Sequence, residues 1–335
     1  MRAFPAAFLL LCLIAAPAGA QTSLTPVDPR PAGAALAALA ANDPAKARAL
    51  AEPLAAKGDS AAQVVLGRIY ERGLGVRPDI GLALEHYSAA AVNGSTDAQI
   101  ALGRLAYEGG GVYPDYERAA GWFRLAAAQG DPRGEVRLGR MLADGRGLRQ
   151  DKVAAAHHFA RAAAKQDVDG LFYLGLAFLR GDGVPLNYKS ASEYFAAASA
   201  KGHAEAAYHL ALLYDSTALG RADAAEAARA MRLAAERGHA PAYAAMGLIV
   251  HRGDAEGLAA DWFERGANAG DAQAALLYAV ALSRGDGRSK NPAAAAVLAR
   301  RLAAAPETPA PIRAQAERLQ QALATEINGP ITLRE

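Results

Sequence analysis

A Leu-Gly dipeptide returns every 36 residues, at Leu66-Gly67, Leu102-Gly103, Leu138-Gly139 and Leu174-Gly175. The next two steps bring Leu210-Ala211 and Met246-Gly247, and a last copy, Tyr278-Ala279, follows 32 residues later. A fixed period of this size marks a solenoid, in which each unit buries its apolar face only against its neighbours. A chain of 335 residues would otherwise suggest about two domains. The repeat replaces that expectation, because a solenoid grows by adding units rather than by enlarging one core.

The copy spanning 94–129 shows what a unit holds. A first helix is predicted from Asp97-Ala98, with Ala98, Leu102 and Leu105 at helical spacing. Gly109-Gly110-Gly111 breaks it, and Asp115 has the character of an N-cap. A second helix carries Ala119, Trp122, Phe123, Ala126 and Ala127, and Gly130 closes it. Each unit is therefore a helix A, a glycine loop, a helix B and a glycine turn. The glycine of Leu-Gly is expected to let helix B approach helix A closely. Aromatic pairs on helix B (His86-Tyr87, Trp122-Phe123, His158-Phe159, Tyr194-Phe195, Trp262-Phe263) are expected to fill the space between units.

The start of the chain reads as a secretory leader. A charged residue, Arg2, precedes an apolar run over 8–16 that is too short to span a bilayer, and Ala18-Gly19-Ala20 offers small residues for cleavage after Ala20. Residues 1–20 are thus assigned as a signal peptide and 21–30 as a flexible linker. Cleavage removes Cys12, the single cysteine, so the mature chain would need no disulfide and carry no thiolate chemistry. A periplasmic or secreted location follows as the expectation. Lysine and arginine number 36 against 34 acidic residues, which gives no general attraction to nucleic acid or anionic lipid.

The pattern Ala-x-x-x-Leu-Gly-x-x-Tyr, then Gly-x-Gly-Val, Asp, an aromatic pair, Ala-Ala and Gly resembles the Sel1-like repeat, a relative of tetratricopeptide arrays. Leu66-Gly67-Arg68-Ile69-Tyr70 followed by Gly73-Leu74-Gly75-Val76 matches it closely. The resemblance covers 58–305, divided as 58–93, 94–129, 130–165, 166–201, 202–237, 238–269 and 270–305. It implies an all-α fold: a right-handed α-α superhelical solenoid of about seven helix-turn-helix units with terminal capping helices. The copies beginning at Gly202 and Gly238 depart most from the pattern. Residues 31–57 read as an N-terminal capping hairpin, 306–328 as a C-terminal capping helix and 329–335 as a tail. The resemblance also implies an adaptor or scaffold role. The partner would be a protein or peptide, such as the periplasmic portion of a membrane receptor, an envelope assembly or a host protein, bound by a monomer.

In this architecture helix A lines the concave side. The residue after each Leu-Gly, opposite the buried positions at 100° per residue, is Arg68, Arg104 and Arg140 in the first three units. It then becomes Leu176, Leu212, Leu248 and Val280. A position four residues earlier carries Phe172 and Tyr208. This predicts a two-part groove. A ladder of Arg68, Arg104 and Arg140 suits carboxylates, phosphates or an acidic peptide. An apolar floor of Phe172, Leu176, Tyr208, Leu212 and Leu248 suits a helix or an extended peptide. The alternatives are solvation of an exposed face by arginines paired with Glu71, Glu108 or Asp144, and packing between helices for the apolar set.

Other motifs carry less. Five Gly-x-Gly sites at one point of a repeat are turns rather than phosphate loops, and three Arg-Gly-Asp tripeptides occupy that same loop. His203 and His239 follow linking glycines and are expected to serve the turn, while the adjacent His157 and His158 make a poor metal pair. No cofactor and no metal are expected. Some Sel1-like proteins are associated with β-lactam binding or hydrolysis, but the chain has no Ser-x-x-Lys, its nearest approach being Ser199-Ala200-Lys201. No enzymatic activity is expected.

Overall fold

The computed structural model describes residues 32–110 and 113–328, with side chains to residue 325. The assigned signal peptide, the 21–30 linker and the 329–335 tail lie outside the described residues. Every regular element among those described is an α-helix. The chain forms two compact units that divide between Asn93 and Gly94.

Among the described residues the first unit holds four helices. α1 (Gly33–Ala40) and α2 (Pro44–Ala55) make a short hairpin, and α3 (Ser60–Arg72) with α4 (Ile80–Val92) makes the next. Asp43 caps α2 by accepting from the Lys46 amide at 3.1 Å, and Pro44 takes the first helical position, where its missing N–H costs nothing. Ala35, Ala47, Ala62, Val65 and Ile69 form the core of this unit, all fully buried.

The second unit continues as hairpins in chain order. They are α5 (Thr96–Glu108) with α6 (Tyr116–Ala128), α7 (Pro132–Asp144) with α8 (Lys152–Ala164), and α9 (Val168–Arg180) with α10 (Tyr188–Ala200). α11 (Ala204–Asp215) pairs with α12 (Ala224–Glu236), α13 (Ala240–Arg252) with α14 (Ala259–Asn268), and α15 (Ala272–Arg284) with α16 (Pro292–Ala304). α17 (Ala310–Asn328) closes the unit against α15 and α16. The odd-numbered members through α15 are A helices and the even-numbered members are B helices. α5 begins one residue before the predicted Asp97, because Ser95 supplies its cap to the Ala98 amide at 3.3 Å.

The caps keep the period. Asp115, Asp151, Asn187 and Asp223 each accept from the amide three residues on and start a B helix. A left-handed glycine ends α5, α7, α9, α13 and α15, at Gly109, Gly145, Gly181, Gly253 and Gly285. α11 lacks this stop and ends on Ser216 in an extended conformation. Successive A helices touch directly at α5–α7, α7–α9 and α13–α15, whereas B helices meet mainly A helices. The A layer is therefore the more crowded side of the stack.

What sets the A–B distance is visible at the Leu-Gly glycines. A Cβ added at Gly103 would lie 2.5 Å from the Phe123 ring, at Gly139 2.6 Å from Phe159, and at Gly175 2.8 Å from Phe195. In the first unit, Gly67 stands in the same relation to Tyr87 at 2.5 Å. The close approach of helix B to helix A is as expected from the sequence; the structure adds that the glycine is a socket for one buried B-helix ring of the same hairpin. Where the glycine becomes Ala211 the opposing residue becomes Met231, and where it becomes Ala279 the opposing residue becomes Ala299, all of them buried. Methionine bends around an added methyl that a rigid ring cannot avoid.

Gly175→Ala should therefore destabilise the chain by about 1–3 kcal/mol through overpacking. Adding Phe195→Met, which copies the Ala211–Met231 pair, should recover most of that loss. Urea midpoints of the two single variants and the double variant measure it, and simple additivity of the two effects would refute the socket.

Candidate functional site

On each A helix the strip left uncovered by neighbours is narrow, and it is framed by three helices. Two successive A helices and the B helix between them enclose a niche whose base is the B-helix ring. Three such niches stand out among the described residues of the second unit. The first, of about 110 Å³, is bordered by α5, α6 and α7 and lined by Arg104, Tyr107, Glu108, Arg137, Arg140 and Met141 above Phe123. The second, of about 200 Å³, is bordered by α7, α8 and α9, with Arg140, Asp144, Lys152, Tyr173, Leu176 and Arg180 around Phe159. The third, of about 390 Å³, is bordered by α13, α14 and α15, with Leu248, His251, Leu258, Leu277 and Val280 around Phe263.

The third niche is larger for a reason written in the chain. α14 has 10 residues where α12 and α16 have 13. Leu258 stands at its start without a side-chain cap and is 50% exposed.

The predicted groove residues distribute unevenly over this frame. Arg104 and Arg140 line the first niche together. Arg104 pairs with Glu108 at 2.8 Å, and the Arg140 guanidinium lies 5.2 Å from the centre of the Tyr173 ring. Arg68 belongs to α3 of the first unit and lines none of these niches. Leu176 is half-buried and borders the second niche, and Leu248 borders the third at 42% exposure. Leu212 is exposed on α11.

Phe172 corrects the expectation. It is 3% exposed and belongs to the core, packed against Phe195 and stacked on His203 with ring centres 4.2 Å apart. An A helix has neighbours on several sides, so the position two before the Leu faces the next unit instead of solvent. Val136, Ala244 and Leu276 occupy the same position and are equally buried. Tyr208 is only half-buried there, with its ring 4.8 Å from His239.

Sequence reasoning passed over the residue just before each Leu. It is Arg137, Tyr173, His209 and Leu277 in different units, and it forms a wall of the niche at Arg137, Tyr173 and Leu277. Tyr173 stacks on Phe159 at 5.2 Å and His209 on Phe195 at 5.3 Å. The signal was this position's change of chemistry from unit to unit, at a point where core positions hold constant.

Behind the niches sits a buried acid. Glu135 is 2% exposed and is bonded to His158 Nδ1 at 2.6 Å and to Arg161 at 2.7 Å, both on α8. The pairing ties α7 to α8 and answers the buried charge. His158 is thereby a structural partner of Glu135. Of the two turn histidines, His203 accepts the Ala206 amide at 3.1 Å, whereas His239 caps without a side-chain bond. Among the described residues no group of three or more His, Cys, Asp or Glu is placed to hold a metal ion, and no helix is long and apolar enough to cross a membrane.

The sequence profile of the Sel1 repeat matches residues 60–95, 96–131, 132–167, 168–203, 240–271 and 272–306. The chain belongs to the Sel1 repeat family. The unmatched interval, 204–239, is the hairpin of α11 and α12, which lacks the left-handed glycine stop. A Sel1 repeat protein from Oxalobacter formigenes has a similar structure, with a TM-score of 0.64 at 26% identity over 71% of this chain and 97% of that one. Yeast Tom70 shares the fold alone, with a TM-score of 0.52 at 15% identity over 92% of this chain and 66% of its own. No curated protein sequence gives a significant match. Family and fold together make the chain a solenoid of the kind used for protein–protein interaction surfaces.

Burial holds His209 and His239 below the ordinary imidazole value of 6.5, Glu205 pulling the other way in both cases. Arg180 on α9 and His203 add to the lowering at His209, and His203 does so at His239, where Asp271 opposes it. A depressed folded value means that the unfolded chain binds more protons below pH 6.5, so stability is full above that value and is lost as pH falls toward the folded value. Asp271, pushed up by its own burial, acts in the opposite sense in the carboxylate range. Melting temperature should therefore fall between about pH 8 and pH 5.5. His209→Gln should make that fall shallower, and an unchanged slope would remove His209 from the effect.

Proposed function

We propose that this Sel1-repeat protein is an exported adaptor that holds an extended segment of a partner protein along the A-helix layer of its second unit. The observation that carries this is the recurrence of the niche. The same three-helix frame, set over the same ring, opens at α5–α7, α7–α9 and α13–α15, with different side chains at its rim each time. A repeated socket of varied chemistry is suited to reading successive side chains of a linear ligand. The leader-like residues 1–20 support export. A periplasmic setting would make the extracytoplasmic part of a membrane sensor a suitable partner.

Photo-crosslinking in the producing cell tests this. A photoreactive residue placed at Arg137 or Leu248 on the A side should capture a defined partner. The same residue at the exposed Leu125 of α6 or Val153 of α8 should capture little. Equal capture from the B-helix positions would place the binding face elsewhere.

A further inference from the structure

The third niche is an apolar hollow with an open mouth. Leu248 and Leu258 stand 42% and 50% exposed at its edge, Leu277 and Val280 are half-buried in its wall, and Phe263 forms its base. A single exposed leucine is ordinary, but two around one hollow of about 390 Å³ mark a surface built to be covered. α17 packs on the other side of α15. Its Ala316 joins Leu276 in one buried cluster, and its Leu323 joins Leu282 in the next. The two helices therefore run in the same direction. Asn328, the last residue of α17, comes level with the turn after α15, which carries Asp286 and Gly287 into the niche lining. Residues 329–335 depart from that point.

We propose that residues 329–335 seat in the third niche of their own chain, with Leu333 as the anchor. The segment reads Gly329-Pro330-Ile331-Thr332-Leu333-Arg334-Glu335. Gly-Pro ends a helix and redirects the chain. The alternation that follows puts Ile331 and Leu333 on one side of an extended strand and Thr332 and Arg334 on the other. Reach fits the seat. The niche lies between α13 and α15, one and a half helix spacings from α17, which at the usual spacing is about 12–15 Å. The five residues from Asn328 to Leu333 span about 17 Å when extended. Ile331 then crosses the rim of α15, and Leu333 enters between Leu248 and Val280. Charge fits too. Arg284 and Asp286 stand exposed at the rim, and the segment brings one charge of each sign in Arg334 and Glu335. Exposed pairs of this kind orient a segment more than they hold it, so apolar burial carries the contact. The docking does not depend on the adaptor reading. Where that reading holds, a partner must displace the segment to use this niche.

Disulfide trapping in the full chain tests the proposal. Cys12→Ser removes the single cysteine, and Leu248→Cys is then combined with Leu333→Cys. Mild oxidation should close a disulfide within one chain, identified by mass spectrometry of the digest. Adding Ile331→Asp keeps the tether and both thiols but removes an apolar contact, and should slow trapping by about tenfold or more. Both cysteine positions lie outside the buried core, and thermal melts check that the variants keep the fold. Equal rates with and without Ile331→Asp would mean that the tether alone brings the thiols together, and would overturn the proposal. Failure to trap would overturn it as well, and so would a disulfide between two chains, which would give the niche to the segment of a second copy. The competition has its own readout. A photoreactive residue at Leu248 should capture more partner in the producing cell when Leu333→Asp frees the niche, while capture at Arg137 stays unchanged. Capture at Arg137 with no gain at Leu248 would overturn the competition. No capture at either position would sink the adaptor reading, and trapping would still decide the docking.

Discussion

The close approach of an aromatic ring to a glycine on the facing helix is the contact on which the rest of this molecule depends. It fixes how near helix B lies to helix A, and in a solenoid that distance is repeated in every unit. A methyl group at Gly103, Gly139 or Gly175 would enter the ring that covers it. The chain departs from glycine only where the ring is gone as well, at Ala211 with Met231 and at Ala279 with Ala299. That covariation within one sequence shows the pair behaving as a unit of packing. A second small-residue crossing works alongside it. Gly134 and Gly170 sit where α7 and α9 cross the ends of the preceding B helices, and an added Cβ there would meet Ala126 or Ala162. Two close crossings per unit leave little freedom in how one hairpin stacks on the next.

The niches are a by-product of the same contact. Because the ring inserts toward helix A, it also becomes the floor between two successive A helices. The residues above that floor do not set the helix spacing, so they can vary without cost to the stack. This separates the two tasks of the sequence. Glycine, ring, small crossing residues and caps keep the period, while the positions before and after Leu-Gly change from arginine to tyrosine, histidine and leucine. The shortened α14 shows how far the variation can go, since the loss of its first turn enlarges one niche while the Gly247–Phe263 contact is kept.

Much of this was legible in the residues. The Leu-Gly period, the Asp caps and the glycine stops specified the hairpins, because each depends on local chemistry that a single unit displays. The close approach of the two helices at the Leu-Gly glycine was legible for the same reason, whereas its pairing with one particular ring was not. Phe172 was misplaced because helical periodicity divides a helix into a buried and an exposed half, whereas an A helix in a stack is covered on several sides. Arg137 was missed because the reading followed only the residue after each Leu-Gly and the one four before it, and passed over the position just before Leu138. The pairing of Glu135 with His158 and Arg161 links residues 23 and more positions apart, and no local pattern joins them.

The stacked rings of Phe172, Phe195, His203 and His209 fill the seam between α9 and α11 with imidazole where neighbouring seams carry arginine, tyrosine or leucine. This seam adjoins the hairpin that departs furthest from the repeat. Burial disfavours a charge on His209 in this seam, Glu205 opposes that effect, and Arg180 and the neighbouring histidines add to it. A ligand lying along the A layer from α5 to α15 would cross this seam. The free energy of opening it and the free energy of binding are then linked, because a unit that contacts only its neighbours can yield locally without unfolding the rest.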